Sequence, residues 1–341
     1  MLDDVKEWVK GLVRAEAHPP LWVPFPTNSP GTSPDGRLIP GADYFRVRVH
    51  RIHLNYEREW FENYSPMLLV ATEFSYDGQD VTHPAVIGPA IIEQLGRAAP
   101  AATTIAGTVI AGPHPLTEGS LRVTVALHRV PRGNVAGGFL EVVEGAAKSL
   151  DLVAGLTPYT SLARVVVTGV AALTGGARPL IARRDDFIPV VSSFYALLSP
   201  TSRVDPRALV VTGGELAEWT NGEWQPFRSA DYVLYSVDRV NPADVDITRL
   251  PLHRQWLTVL SEATKADTPE VWTSAKTNLS TLIDMAFTSP DLTYAHAEAL
   301  EQEWIAKALN RRDIARKRGE MGGQAHPLDE VRARALAVLD L

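Results

Sequence analysis

No cysteine occurs in the 341 residues, so the chain can form no disulfide, carries no thiolate nucleophile and offers no cysteine ligand to a metal. Catalytic signatures are equally sparse. The chain lacks a GxxxxGKS/T phosphate loop, a strand-linked GxGxxG, a GxSxG nucleophile elbow and an HExxH helix, which removes the common nucleotide-binding, hydrolase and zinc-protease patterns. Basic charge is also short. The 33 Lys and Arg face 40 Asp and Glu, a formal net charge of -7, whereas broad electrostatic capture of nucleic acid needs the opposite sign. The opening residues, MLDDVKEW, place acids where a secretory leader needs a basic start and an apolar run. We therefore expect a cytoplasmic protein without a cofactor.

Apolar residues are plentiful: 45% of the chain is hydrophobic, enough for a substantial core and for more than one domain. Their spacing changes along the chain. Leu2, Val5, Val9 and Leu12 recur at helical spacing with Trp8 beside them, which predicts an amphipathic helix over residues 1–15. Residues 16–42 carry seven prolines, Pro19, Pro20, Pro24, Pro26, Pro30, Pro34 and Pro40, and are read as an extended tether. A helix on such an arm either folds back on its own domain or docks in a partner's groove.

Residues 43–250 are read as a β-rich domain. Phe45, Val47 and Val49 alternate with polar residues, then the phase slips to Ile52, Leu54 and Tyr56, which predicts a β-bulge near His50 and Arg51 and turns His50 and His53 to one face. Further strands are expected at Met67–Tyr76, Thr103–Ile110, Leu121–Val130, Phe194–Leu198, Ala208–Thr212, Leu216–Trp219, Glu223–Phe227 and Tyr232–Val240. Asp77-Gly78 and Asn221-Gly222 mark tight turns. The stretch His83–Leu95, broken by Pro and Gly, is expected to lie between strands, with one short helix from Pro89.

A helical hairpin over residues 137–176 is expected to interrupt the β-material. Its first arm stripes Phe139, Val142, Val143, Ala146, Leu150 and Val153; its second, from about Thr160 to Leu173, is apolar all round, with Arg164 its one charge. Pro158 and Arg164 break any run of the roughly 20 apolar residues that a spanning helix needs. A core hairpin is the reading favoured over membrane entry.

From 251 to 341 the pattern is helical. Thr268-Pro269 and Ser289-Pro290 each read as an N-cap followed by proline in the first turn. The helix expected from Pro290 carries Glu298, Glu301 and Glu303 early, and Lys307, Arg311, Arg312, Arg316, Lys317 and Arg318 late, which complements its dipole. Leu328, Val331, Ala335 and Val338 stripe a last short helix.

The fold class is therefore α+β: an antiparallel β-sandwich-like domain interrupted by a helical hairpin, then an α-helical C-terminal region. The leading functional expectation is a non-enzymatic interaction or scaffold subunit. Its protein partner, or a second copy of itself, would be met by Leu2, Val5, Trp8, Val9 and Leu12 and by Arg311, Arg312 and Arg316. The alternatives are a metal-dependent hydrolase using His50 and His53, with Glu57 or His128 across the sheet, and a membrane-active protein using the hairpin. Asp244 and Asp246, with Arg183, Arg184, Asp185 and Asp186, are weaker carboxylate clusters whose commoner use is capping and ion pairing.

Overall fold

The computed structural model describes residues 11, 19–26, 36–55, 58–59, 62–88, 102–131, 178–199 and 204–320. The expected helix 1–15 (Gly11 apart), the hairpin 137–176, the short helix from Pro89 and the final helix around Leu328–Val338 lie outside them. The chain divides into two compact units, Met1–Val245 and Asp246–Leu341.

The first unit is built from antiparallel sheets that do not close. One five-stranded sheet runs in the order β1 (Leu21–Pro26), β9 (Ser193–Leu198), β13 (Tyr232–Val240), β2 (Tyr44–His53), β6 (Ala102–Pro115). The second runs β3 (Arg58–Glu59), β4 (Glu62–Tyr76), β7 (Leu121–Pro131), β8 (Ile181–Phe187), with β5 (Gln79–Ile87) also paired to β4. Alternation decides what they bury: Phe45, Val47, Val49 and Ile52 of β2 share one apolar core with Val70 and Phe74 of β4 and Val123, Val125 and Leu127 of β7. A small third sheet, β10 (Leu209–Thr212), β11 (Glu215–Thr220) and β12 (Glu223–Pro226), covers the other face of the first through Leu209, Leu216 and Phe227 against Leu198, Tyr232 and Leu234.

Both tight turns form. Asp77 and Gly78 have φ of 53° and 68°, and Asn221 and Gly222 have 55° and 86°, the left-handed pair that a two-residue hairpin needs. Across the second, Trp219 faces Trp224 with ring centroids 5.1 Å apart.

Three stretches depart from the expectation. Residues 16–42 are not a tether throughout: Leu21–Pro26 pairs with β9 over six residues, and Leu38 is buried with its amide on the Val190 carbonyl at 2.9 Å. Trp22 and Val23 alternate apolar faces there, and β1 is an edge strand, where Pro24 removes no needed ladder bond. For the same reason Pro84 does not break β5, which pairs with β4 alone, so His83–Ile87 is strand. The third stretch is β8, whose charges hide it from hydropathy. Arg183 and Asp185 share one face and pair at 2.5 Å, while Arg184 and Asp186 on the other face bind acidic and basic neighbours on β4 and β7. Each face is thus locally neutral.

The described residues of the second unit form three α-helices, α1 (Pro251–Thr264), α2 (Pro269–Thr288) and α3 (Tyr294–Glu320). Trp256, Val259 and Ala263, then Trp272, Ala275, Leu279 and Leu282, then Leu300, Trp304 and Ala308 recur at three and four residues and meet in one core. Trp256 stacks on Trp304 at 5.6 Å. Pro269 opens α2 as expected, although the Thr268 hydroxyl makes no cap bond. The last helix starts later than Pro290. Ser289 instead accepts from the Asp291 amide within a turn, and Thr293 accepts from the His296 amide at 3.2 Å, making it the cap.

Candidate functional site

The slip in β2 is real. Arg51 pairs with Leu234 and Val49 with Tyr235, which leaves His50 as the extra residue and places His50 and Arg51 side by side on the face that also carries Arg48 and His53. Opposite, β6 bulges as well, and Gly107 there takes φ 75°. A Cβ at Gly107 would meet the His50 ring at 3.4 Å, an ordinary contact distance, so glycine is favoured there by the backbone angle.

The polar groups on this face are paired. His50 Nε2 is 2.8 Å from Ser236 Oγ, Arg48 and Arg46 both reach the Asp238 carboxylate, and Arg51 pairs with Glu215. His53 donates from Nε2 to the Arg228 carbonyl at 3.4 Å and lies against the Tyr232 ring. Burial first, then the Arg48 cation, pushes the His50 imidazole down to about 4, with Asp238 opposing. Burial lowers His53 as well, against the Arg228 carbonyl.

A histidine on a serine hydroxyl is the geometry of an activated nucleophile, but Ser236 is fully buried and Phe194 lies 4.7 Å from the His50 ring. No substrate carbonyl reaches that oxygen. The pair fills the bulge and satisfies two buried polar side chains. His128, offered as a third ligand, sits on β7 of the other sheet opposite Met67, and Glu57 lies outside the described residues. Among the described residues no three His, Asp or Glu side chains gather to hold a metal.

A second polar cluster sits inside the sandwich, where the edge strands β1 and β8 face each other. Tyr235 donates to Asp185 at 3.2 Å, and Tyr195 stacks between Trp22 and Tyr235 at 5.5 and 5.3 Å. Arg183 lies over the Trp22 ring at 5.2 Å. Burial raises Asp185 above the ordinary carboxylate value, and Arg183 opposes it. Asp244 and Asp246 stand in and before short 3-10 turns, with Asp246 accepting from the Thr248 amide at 3.1 Å; for Asp246 this is the capping use.

Of the expected partner-binding residues, Leu2, Val5, Trp8, Val9 and Leu12 lie outside the described set. Arg311 and Arg316 are exposed on α3. Arg312 is not available in the same way, because its guanidinium lies 4.7 Å over the Trp272 ring and ties α3 to α2. Ser236 and Glu73 escaped the sequence reading. Nothing marks Ser236, but Glu73 stands out as one acid within an apolar strand.

The interior histidines carry a testable consequence. Burial holds His83 at about 4 and, helped by His83 itself, His114 at about 3; His128 lies at about 4. Above the ordinary value of 6.5 these rings are neutral whether the chain is folded or not. Below it the unfolded chain binds protons that the folded one refuses, so stability is lost as pH falls. The urea midpoint should drop steadily from pH 6.5 towards 4, and His114→Phe should flatten part of that slope. A midpoint constant across the window would contradict the burial of these rings.

Comparison with known proteins finds no matching family model, and no significant match among curated proteins or solved structures.

Proposed function

We propose that this chain is a non-enzymatic interaction or scaffold subunit, binding a protein partner through its three-helix unit and the amphipathic segment Leu2–Leu12. One observation carries the reading: the helical unit, complete with its own core, still exposes large apolar side chains. Leu257, Met285, Phe287, Tyr294, Leu309 and Ile314 all stand in solvent, with Tyr294 at 67%. Phe287 and Tyr294 meet at 5.3 Å beside the α2–α3 turn, an aromatic anchor of the sort that dominates interfaces. Arg311, Arg316, Lys317 and Arg318 follow along α3 and suit an acidic partner surface.

The enzymatic alternative has no comparable support among the described residues, where the Ser236–His50 contact is sealed. Among the same residues no helix is long and apolar enough to cross a membrane. A cytoplasmic setting, read from the cysteine-free sequence, goes with the proposal.

The test is affinity purification from the native host with three baits: the intact chain, a chain lacking residues 1–18, and the double variant Phe287→Ala/Tyr294→Ala. A defined partner should be retained by the first and bound about tenfold more weakly by the double variant, the usual loss for an aromatic anchor. A partner held equally by all three would sink the assignment of these surfaces, and no partner with any bait would sink the scaffold reading itself.

A further inference from the structure

The outward side of α3 repeats at the spacing of a helix seam. Glu298, Gln302, Ile305, Leu309, Arg312 and Arg316 follow one another in alternating steps of four and three residues, so they line one stripe about 27 Å long. This stripe is not the one that builds the core. Ala297, Leu300, Trp304 and Ala308 turn inward to meet α1 and α2, while Glu298, Gln302, Leu309 and Arg316 are exposed and Ile305 and Arg312 are half-buried. Leu309, 45% exposed, stands near its middle.

The order of residues along the stripe is a second, independent observation. Glu298, with Glu301 at its side, occupies the N-terminal half, Ile305 and Leu309 the middle, and Arg312 and Arg316 the C-terminal half. Counted from the level of Lys307, Ile305 lies as far to one side as Leu309 to the other, Gln302 as far as Arg312, and Glu298 as far as Arg316. Lys307 itself is held off the stripe by Glu303. A stripe with that symmetry is complementary to itself when turned end for end. A two-fold axis at the level of Lys307 lays Ile305 of each copy on Leu309 of the other and brings Glu298 and Glu301 opposite Arg316 and Arg312. Parallel pairing would set acid on acid and arginine on arginine.

We infer that α3 pairs antiparallel with α3 of a second copy of this chain through this stripe, forming a symmetric dimer. The inference rests on the reading of the helical unit as a binding unit and names what covers one of its faces: the acidic surface that suits the arginines is the first half of the same helix. Arg316 also has a partner within its own chain, and Arg312 keeps its place over Trp272. Exposed ion pairs of this kind add little affinity, so they select the orientation, while Ile305 and Leu309 supply the attachment. A single helix pair falls short of the roughly 1,200 Å² of a standard interface, which makes the dimer reversible.

The experiment is sedimentation velocity of the full-length protein from about 1 to about 300 µM, the span in which a weak interface assembles. The intact chain should pass from monomer to dimer across that range. Leu309→Glu, an exposed change whose fold circular dichroism checks, should weaken the dimer at least about a hundredfold, because a two-fold interface loses the contact twice. Glu298→Arg and Arg316→Glu should each weaken it about tenfold by placing like charges at both ends. An equimolar mixture of those two variants should associate as the intact chain does, since each end then joins unlike charges. A monomer at every concentration, or a dimer indifferent to Leu309→Glu, overturns the inference, and a mixture no better than its components overturns the antiparallel register. Affinity purification reads the wider role separately: a monomeric chain that still captures another protein refutes the dimer and leaves that role in place, whereas a dimer that captures nothing else upholds the pairing and removes the role for a different protein.

Discussion

A chain lacking residues 1–26 is expected to unfold at much lower urea than one lacking residues 1–18. The difference is β1. It pairs with β9 along six residues and serves two cores at once, since Val23 packs against Ala196 and Leu198 on one side while Trp22 stacks on Tyr195 on the other. Its removal also takes the aromatic ring from beneath Arg183 and uncovers the Tyr195–Tyr235–Asp185 cluster. Trp22→Ala alone should cost about 2 kcal/mol, less than a fully enclosed tryptophan because the ring is only partly covered. Denaturation followed by circular dichroism distinguishes the two truncations. Equal midpoints for both would show that β1 adds nothing to the sheet.

Replacing Trp304 by alanine should unfold the helical unit and spare the β-unit. Trp304 is 1% exposed, stacks on Trp256 and stands among Val259, Leu279, Leu282 and Leu300 in a core that shares no residue with the sheets. Loss of a buried tryptophan costs about 3–5 kcal/mol, a large part of what a three-helix unit can hold in reserve. Limited proteolysis with mass-spectrometric mapping should then place new cleavages within residues 251–320 and leave the cleavage pattern of 44–240 unchanged. Cuts spread evenly through both regions would mean that the two cores do not melt separately.

How much of this was legible depended on how chemically ordinary each strand was. β13 was read to the residue, and the bulge at His50 followed from one slip in alternation, because burial on one face forces period two and any extra residue shows as a phase change. β1 and β8 were missed for opposite reasons. Prolines made Leu21–Pro26 look like free extended chain, and ARRDD gave no apolar signal although every charge in β8 finds its complement beside or across the strand. The start of α3 was misplaced because Ser289-Pro290 and Thr293 are both plausible caps, and only the packing of Leu292 and Ala297 chooses between them. The small pocket beside Glu73 was not legible at all. It arises from residues on β4, β5, β7 and the turn after β8, and no local pattern records that they converge.

The open sheets bear on assembly as well. A sheet that does not close presents bare backbone at its flanks, and such flanks readily recruit another chain edge to edge. Here the outermost long strands are all unsuited to that. β1 carries Pro24 and Pro26, β5 carries Pro84, β6 carries Pro113 and Pro115, and β8 carries two arginines followed by two aspartates. Each interrupts the donor row or charges it. Strand addition is therefore discouraged on these flanks of the described residues.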